Sequence, residues 1–340
     1  MRKSLLMSAL VLAACIAVPS HASIKRDGVY ADRTGTHSKA KRHAKVRVKY
    51  SHGTRMVYQS SRPRVVQTLE GASLLANNGE LRLESSAALV INEEDGTSLY
   101  AKNAGAMVPI ASITKLMTAM VVLDAQLPMD EAITISYDDV DTLRNSHSRL
   151  AVGSVLTRTE MLRLALMSSE NRAASALSRA YPGGTPAFVA AMNRKAQSIG
   201  MLHSQFVDST GLNSSNVSTA QDLALMVKAG TNYDLIREYT TTANYQVDIP
   251  GARQSLAFRN TNALVKDKQW EIGLSKTGFI KEAGRCLVMQ VKIGSKPFII
   301  VLLDSLGKYS RIGDAKRIKL WVERTHNARV VERARTLQPV

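Results

Sequence analysis

The sequence predicts an α/β (α+β) fold, in which an antiparallel β-sheet is flanked by helices and carries an inserted helical lobe. Two observations lead to this fold class. Segments with the composition of strands lie near both ends of the folded part of the chain, at residues 87–101 and 273–304. The residues between them have helical patterns with capping signals and helix-ending Gly and Pro. Strands that enclose helices in this way are typical of a sheet covered by helices.

The first elements are a predicted hairpin and a long helix. The strands are expected at 87–92 and 97–101, with a turn at 93–96 between them. A helix is predicted over about 112–126, because Leu, Met, Ala and Val dominate this run and Pro128 follows it. Together these elements predict an edge of the sheet that leads directly into the helical lobe.

The middle of the chain predicts four further helices. Thr157-Arg158-Thr159-Glu160 is a capping box, in which the Thr and Glu side chains satisfy free backbone N–H groups at a helix start. The helix after it covers 161–167. The other three are predicted at about 171–180, 186–199 and 218–230, and each ends near a Gly or Pro.

The last third of the chain returns to strands. One strand is predicted over 273–279, a hairpin joins 285–293 to 298–304 through Gly294-Ser295, and a helix over 314–324 closes the domain. These strands are expected to complete the sheet that the N-terminal hairpin begins.

Composition divides the chain into four parts. Residues 1–22 have the charged start, short apolar run and small-residue cleavage site of an export signal, so a periplasmic location is expected. Residues 23–84 predict a basic, largely disordered arm and linker; of the formal net charge of +17, residues 25–64 carry +10, with 12 Lys and Arg against 2 Asp. A folded domain is predicted at 85–325 and a C-terminal tail at 326–340.

The two cysteines bear on export and on redox chemistry. Leu12-Ala13-Ala14-Cys15 is similar to a lipoprotein box, so a lipid on Cys15 is the alternative to cleavage after Ala22. Removal of the signal leaves Cys286 without a disulfide partner. The apolar alternation around Cys286 predicts a buried structural thiol.

Three short boxes carry the chemical information. They are, in order along the chain, Ser112-Ile113-Thr114-Lys115, Ser169-Glu170-Asn171 and Lys276-Thr277-Gly278. Each has an ordinary interpretation by itself, as a capping serine with a solvated lysine, an N-cap pair or an edge-strand lysine. All three in this order indicate a serine acyl-transfer site.

The first box supplies a nucleophile and a base. Ser112 and Lys115 are three residues apart, so a helix that begins at Ser112 places both side chains on one face. A serine hydroxyl needs a group that takes its proton, and Lys115 can do this only when it is neutral. Burial and a second cation, for which Lys276 is the candidate, are expected to lower the pKa of Lys115.

The second box lies between two predicted helices. Ser169 is expected to relay a proton between Lys115 and the leaving group. The Asn171 amide is expected to hold Lys115 and a substrate carbonyl at the same time, since it has both a donor and an acceptor.

The third box lies in a predicted strand that is expected to be central in the sheet. Lys276 and Thr277 are expected to bind a substrate carboxylate, since a lysine inside a strand needs a partner. Gly278 leaves room for a ligand backbone to approach closely. The Phe279 N–H is expected to form an oxyanion hole with the Ser112 N–H at the helix N-terminus.

Several functions outside acyl transfer are disfavoured by the sequence. The histidines show no metal-ligand spacing, so a zinc hydrolase is not expected, and no Gly-rich phosphate loop is present. The export signal argues against a nucleic-acid partner for the basic arm. Envelope polymers, or no partner at all, remain the interpretations of the arm.

The chain resembles the endopeptidases of the low-molecular-mass serine DD-peptidase family over residues 86–325. The resemblance is carried by long runs around all three boxes, at residues 109–124, 166–174, 210–212, 216–220, 258–262 and 276–279. It does not cover residues 23–64.

The resemblance implies a fold, a reaction and inhibitors. The implied fold is an antiparallel sheet with the site between sheet and helical lobe. The implied reaction is attack of Ser112 on a D-alanyl carbonyl in peptidoglycan cross-bridges, through an acyl-enzyme and without a cofactor. β-Lactam antibiotics mimic the substrate and trap Ser112. Arg311 corresponds to a basic residue near the substrate carboxylate, although an ordinary surface arginine explains this position equally well.

The residues leave three further functions open. A D-alanyl-D-alanine carboxypeptidase uses the same chemistry on a different substrate. A class A β-lactamase needs a deacylating glutamate, for which Glu238 is the only suggestive carboxylate between the second and third boxes. A non-catalytic peptidoglycan-binding protein would keep the pocket without using Ser112.

Overall fold

The structure, a computed structural model, describes residues 81–249 and 255–336, with the side chains of the last helix described through residue 325. The predicted signal peptide, Cys15 and the arm up to residue 80 lie outside these residues. In chain order the strands are β1 (Ala87–Asn92), β2 (Ser98–Lys102), β3 (Val108–Pro109), β4 (Ala132–Thr134), β5 (Val155–Thr157), β6 (Val217–Ser218), β7 (Asn244–Val247), β8 (Leu256–Arg259), β9 (Glu271–Ile280), β10 (Gly284–Ile293) and β11 (Lys296–Ser305). The helices are α1 (Thr114–Asp124), α2 (Arg158–Met167), α3 (Asn171–Arg179), α4 (Gly184–Ser198), α5 (Ala220–Gly230), α6 (Asp234–Thr241) and α7 (Ser310–Thr336), and short 3-10 turns cover Ala111–Ile113, Tyr137–Asp139 and Ala263–Lys266.

A five-stranded antiparallel sheet with the order β2-β1-β11-β10-β9 forms the centre of the fold, which confirms the predicted fold class. β1 pairs with β11, with Leu89 opposite Val301, so both ends of the domain meet in one sheet. Because neighbouring residues of a strand face opposite sides, Leu89 packs with the helical lobe while Val90 packs with the apolar side of α7. The sheet is therefore covered on both faces. β9, which carries the third box, forms one edge of this sheet, so the expected central position is wrong.

The helical lobe is built around α1, in which every residue from Thr114 to Val122 is buried. A helix that is apolar nearly all round is a core helix, and α1 contacts α2, α3, α4 and α5. The capping box of α2 is confirmed, since the Thr157 hydroxyl accepts from the Glu160 N–H and the Glu160 carboxylate accepts from the Thr157 N–H.

The helix predicted from Ser112 begins differently in the structure. Ala111–Ile113 is a 3-10 turn, and the α-helix starts at Thr114. Ala111 has a φ of +48°, which is outside the α-helical region, so regular helix forms only after it.

The C-terminal helix is longer than predicted. It covers Ser310–Thr336 instead of 314–324. The buried Asp314 accepts hydrogen bonds from the backbone N–H groups of Glu84 and Ser85 at 2.9 and 2.8 Å, so folded contacts reach back to the predicted start of the domain. Helix α6 and the β7–β8 hairpin were not predicted from the sequence.

Within the described ranges, no helix combines the length and hydrophobicity needed to cross a bilayer.

A glycine is required where the loop before β6 meets the 3-10 turn at Ala111. Gly211 has a φ of +79°, and a Cβ at this position would lie 1.9 Å from the Ala111 carbonyl oxygen. The Asn216 amide holds the same loop in place by donating to Thr114 Oγ1 and to the Asp208 carbonyl oxygen, both at 3.0 Å. This backbone contact fixes the conformation of the turn that carries Ser112.

We expect Gly211→Ala to destabilise the protein by about 3 kcal/mol, because the new Cβ meets backbone and the residue keeps a positive φ. Gly96→Ala is the matched control, since Gly96 also has a positive φ, of +72°, but a Cβ there has nothing within 4 Å. The control is expected to lose only about 1 kcal/mol. Urea unfolding of the two variants measures the difference, and equal losses would contradict the backbone contact as the cause.

Candidate active site

Ser112 lies in the 3-10 turn between β3 and α1, directly after the left-handed Ala111. The turn packs against β9. A Cβ at Gly278 would lie 2.8 Å from the Ile110 carbonyl oxygen and 3.2 Å from the Ser112 nitrogen. The expectation that a ligand backbone fills this space is wrong, because the backbone of the protein itself occupies it. Glycine at 278 therefore lets β9 approach the turn that carries Ser112.

The Lys115 amine is the centre of a hydrogen-bonded group. Its Nζ lies 3.0 Å from Ser112 Oγ, 2.7 Å from Asn171 Oδ1 and 2.6 Å from the Thr210 carbonyl oxygen, and the side chain is fully buried. The structure thus brings Ser112, Lys115 and Asn171 together as the sequence predicted. The Thr210 carbonyl is a further partner that was not predicted from the sequence.

Burial lowers the pKa of Lys115 from its usual 10.5 to about 7, against the opposing effect of the Asp208 and Glu170 carboxylates. Glu170 is buried, and its Oε1 atom has no hydrogen-bond partner among the described residues. A lysine with this pKa is substantially neutral near pH 7, so its nitrogen can accept the proton of Ser112.

Lys276 is the second buried lysine of the site. Its side chain is 1% exposed, and its Nζ donates to Ser169 Oγ and to the Thr277 carbonyl oxygen, both at 2.9 Å. Burial lowers the pKa of Lys276 well below its usual value, and the nearby charges of Lys115 and Arg311 lower it further. The electrostatic effect runs from Lys115 to Lys276, whereas the effect expected from the sequence was that of Lys276 on Lys115; burial is what lowers the pKa of Lys115.

Ser169 forms a hydrogen bond with the lysine of the third box. Its Oγ accepts from Lys276, a contact that was not predicted from the sequence, and its predicted part in proton relay from Lys115 stays a prediction. The serine connects α2 and α3 with a φ of +61°, which is uncommon for a non-glycine residue. Such conformations cost free energy and are common at functional sites, where the surrounding structure holds them in place. Here the hydroxyl is directed at β9.

Asn171 is held from both ends of its amide. Oδ1 accepts from Lys115, and Nδ2 donates to Ser146 Oγ at 2.9 Å. Ser146 lies in the loop between the 3-10 turn Tyr137–Asp139 and β5, which no sequence pattern connected with the boxes. Since an amide nitrogen has two hydrogens, Nδ2 keeps one for a substrate carbonyl.

The loop that supplies the Thr210 carbonyl is fixed by Asp208. The Asp208 carboxylate accepts from the backbone N–H groups of Thr210 and Gly211 at 2.6 Å and of Asn213 at 2.8 Å. Residues 210–212 and 216–220 belong to runs that carried the family resemblance, but they received no role from it. Their role in the structure is to support Lys115.

Arg311, Lys276 and Thr277 form the candidate anion site. Arg311 is partly buried, and its Nε and Nη1 atoms have no hydrogen-bond partner among the described residues. Burial lowers its pKa, and the Arg285 charge lowers it further. Thr277 is buried, with its hydroxyl 2.7 Å from Thr261 Oγ1. Unpaired buried guanidinium N–H groups are costly, so this site is suited to a bound carboxylate.

Two residues considered from the sequence have no place in the site. Glu238 forms an exposed ion pair with Arg163 at 2.8 Å, so it is not a glutamate poised beside Ser112. Cys286 is buried opposite Gly278, and burial raises its pKa to about 12, so its thiol stays protonated and unreactive. No cluster of His, Cys, Asp and Glu able to hold a metal occurs in the part of the chain that the structure describes.

Comparisons with known proteins agree with this geometry. A family model described as D-alanyl-D-alanine carboxypeptidase matches residues 75–307. The D-alanyl-D-alanine endopeptidases of Pseudomonas aeruginosa and Escherichia coli are 49% and 44% identical over 241 residues, which are 71% of this chain and 78% of each relative. The crystal structure of the Streptomyces K15 DD-transpeptidase is similar with a TM-score of 0.65 and 29% identity, over 70% of this chain and 96% of that one. The structure of penicillin-binding protein D2 of Listeria monocytogenes, in its ampicillin-bound form, is similar with a TM-score of 0.60 and 30% identity, over 70% of this chain and 96% of that one.

We expect Lys115→Met to flatten the pH dependence of stability. A lysine with a folded-state pKa of about 7 holds fewer protons when folded than when unfolded between that pH and its usual pKa of 10.5. The free energy of unfolding therefore rises with pH across this window, by up to about 1.4 kcal/mol per pH unit for each such group. The variant lacks the contribution of Lys115.

Urea unfolding at several pH values above 7 measures this slope. Lys292→Met is the control, because Lys292 is an exposed lysine on β10. The control is expected to follow the unsubstituted protein. A Lys115→Met curve parallel to that of the unsubstituted protein would show that Lys115 is not a neutral amine in the folded state.

Proposed function

Since the chain belongs to the D-alanyl-D-alanine carboxypeptidase family of serine peptidases, we propose that it hydrolyses the D-alanyl cross-bridges of peptidoglycan as an endopeptidase. The observation that carries the chemistry is the 3.0 Å contact between Ser112 Oγ and the buried amine of Lys115, whose pKa is about 7. Such a pair is an activated nucleophile.

Acylation begins with transfer of the Ser112 proton to the neutral Lys115. Ser112 Oγ then forms a bond to the D-alanyl carbonyl carbon, and the negative charge that develops on the carbonyl oxygen is stabilised by the backbone N–H groups of Ser112 and Phe279. The new ammonium group of Lys115 is stabilised by Asn171 Oδ1 and the Thr210 carbonyl oxygen, both within hydrogen-bond distance. These contacts favour the charged state that the reaction produces.

The tetrahedral intermediate collapses when the carbon–nitrogen bond breaks and the leaving amine takes up a proton. This proton is the one that Lys115 took from Ser112: the Ser169 hydroxyl gives its own proton to the amine and takes a proton from the Lys115 ammonium, so Lys115 becomes neutral again. Lys276 donates a hydrogen bond to Ser169 Oγ. The result is an ester between Ser112 and the D-alanyl group. A water molecule then attacks the ester with Lys115 as base, which releases the acid and restores the free serine.

The leaving side of the substrate bears a carboxylate that fits the anion site. We assign it to Thr277, Lys276 and Arg311. The unpartnered N–H groups of Arg311 support this assignment. A carboxylate bound here also favours the charged form of Lys276, and a charged Lys276 lowers the pKa of Lys115. Substrate binding therefore keeps the base neutral.

Endopeptidase action is favoured over carboxypeptidase action by the relatives. The proteins that are 49% and 44% identical are both D-alanyl-D-alanine endopeptidases, whereas relatives described as carboxypeptidases, such as DacF of Bacillus subtilis and DacA of Escherichia coli, are 31% and 25% identical. Reaction with β-lactams follows from the same acylation chemistry, and the related Listeria protein has a structure in an ampicillin-bound form.

A β-lactamase and a non-catalytic binding protein have less support. The glutamate that a class A β-lactamase needs is not supplied by Glu238, because Glu238 is paired with Arg163. A non-catalytic binding protein has no need for a neutral lysine beside a serine. Export to the periplasm, cleavage near Ala22 and an envelope polymer as partner of the basic arm remain predictions from the sequence.

Digestion of isolated peptidoglycan tests the proposed function. We expect the protein to remove cross-linked dimers from the chromatogram of released fragments, and Ser112→Ala to lower this activity by on the order of a thousandfold or more, because the nucleophile is gone. Ser168→Ala is the matched control, since the Ser168 hydroxyl donates to the Leu164 carbonyl oxygen within its own helix. Loss of terminal D-alanine with intact dimers would contradict the substrate and leave the mechanism in place.

A further inference from the structure

An ion pair connects the helical lobe to the turn that follows β9. Arg144 Nη1 lies 2.9 Å from Glu282 Oε2, with 23% and 46% of the side chains exposed. Arg144 belongs to the loop that carries Ser146, and Glu282 lies between β9 and β10. Neither residue has a role in the reaction described above.

The loop that carries Arg144 is held by several hydrogen bonds. Asp141 Oδ1 accepts from the backbone N–H groups of Leu143 and Arg144 at 2.9 Å, and Asp141 Oδ2 accepts from the Ser146 N–H at 2.8 Å. The Nε of Arg144 donates to the Leu212 carbonyl oxygen. Because Ser146 accepts from Asn171, the loop is fixed directly to the catalytic group.

The position of the pair relative to the substrate follows from the direction of β9, and this step rests on the proposed function. The leaving-side carboxylate binds at Lys276 and Thr277, and the reacting carbonyl lies at the Phe279 N–H. The acyl side of the substrate therefore continues along β9 toward Ile280 and Glu282. The ion pair lies at the acyl end of the site.

Apolar side chains accompany the charged pair at this end. Phe279 is 56% exposed and Leu143 is 62% exposed, although both are large hydrophobic residues. The Arg285 guanidinium stacks over the Phe279 ring at 4.5 Å and keeps it in place. Exposed apolar side chains beside a half-exposed ion pair are typical of a surface that binds a ligand.

We propose that Arg144 and Glu282 form a subsite for the acyl side of the substrate, which binds a residue whose side chain ends in both an ammonium and a carboxylate group. The carboxylate pairs with Arg144, and the ammonium pairs with Glu282. A guanidinium offers several donors in one plane, so Arg144 can bind a carboxylate while its Nε keeps the bond to Leu212. A ligand that carries both charges provides a partner for Arg144 and a partner for Glu282. A neutral ligand forms an ion pair with neither residue.

Two soluble D-alanyl-D-alanine peptides test the proposal. They differ only in the residue before the first D-alanine, whose side chain ends in an amine and a carboxylate in one and in a neutral amide in the other. We expect the unsubstituted protein to favour the first by about tenfold or more in kcat/KM. Arg144→Ala and Glu282→Gln are each expected to reduce this preference to about threefold or less.

A charge exchange separates recognition from support of the loop. Arg144→Glu with Glu282→Arg keeps an ion pair between loop and turn but reverses its charges. If the pair binds the substrate side chain, the double variant does not prefer the charged peptide over the neutral one. If the pair only holds the loop, the double variant regains the preference that the single variants lose, and the proposal is wrong. Thermal unfolding of every variant checks that it is folded.

Glu271→Gln is the matched control, because Glu271 forms a similar exposed pair with Lys292, at 3.5 Å, at the opposite end of β9. It is expected to keep the full preference. Calorimetric binding of both peptides to Ser112→Ala measures the same ratio without turnover, so failure of the proposed function and failure of the subsite are distinguished. Equal treatment of the two peptides by the unsubstituted protein in both assays would overturn the subsite.

Discussion

Two lysine amines buried in one site are the constraint on which the rest of the active site depends. Lys115 and Lys276 are both almost completely removed from water, and the charge of Lys115 makes a charge on Lys276 more costly. Nearby acceptors and the Asp208 and Glu170 carboxylates limit this cost without cancelling it. The site therefore holds a neutral amine beside Ser112 at a pH where an exposed lysine is charged.

The geometry of this site requires unusual backbone. Ala111 and Ser169 both have positive φ angles, and each adjoins or carries a hydroxyl of the reaction. Glycines 211 and 278 permit the approach of neighbouring backbone to the turn of Ser112 from two sides. Conformations that cost free energy persist only where the surroundings hold them. Here the Asp208 and Asn216 hydrogen bonds and the packing of β9 do so.

The fold class and the three boxes could be predicted because their signals are local. Strand composition, capping residues and the Ser112–Lys115 spacing all lie within one or two turns of chain. Helix α6 was missed because it is only eight residues long and ends in a tyrosine and two threonines, which have little helical preference.

The long-range partners were missed for another reason. Ser146 reaches Asn171, and Thr210 reaches Lys115, only through the packing of loops distant in sequence. No periodicity or capping pattern encodes such contacts, because they depend on where the sheet and the helical lobe place each loop. The same holds for the contact between the Ser169 hydroxyl and Lys276 on β9.

Direct titration of the Lys115 amine tests the central claim. In protein labelled with 15N in its lysine side chains, the Nζ resonance of Lys115 is identified by its loss in Lys115→Met and followed against pH by nuclear magnetic resonance. We expect a pKa of about 7 for this amine. An amine that stays charged until about pH 9 or above, close to an ordinary lysine, would contradict a neutral lysine as the base.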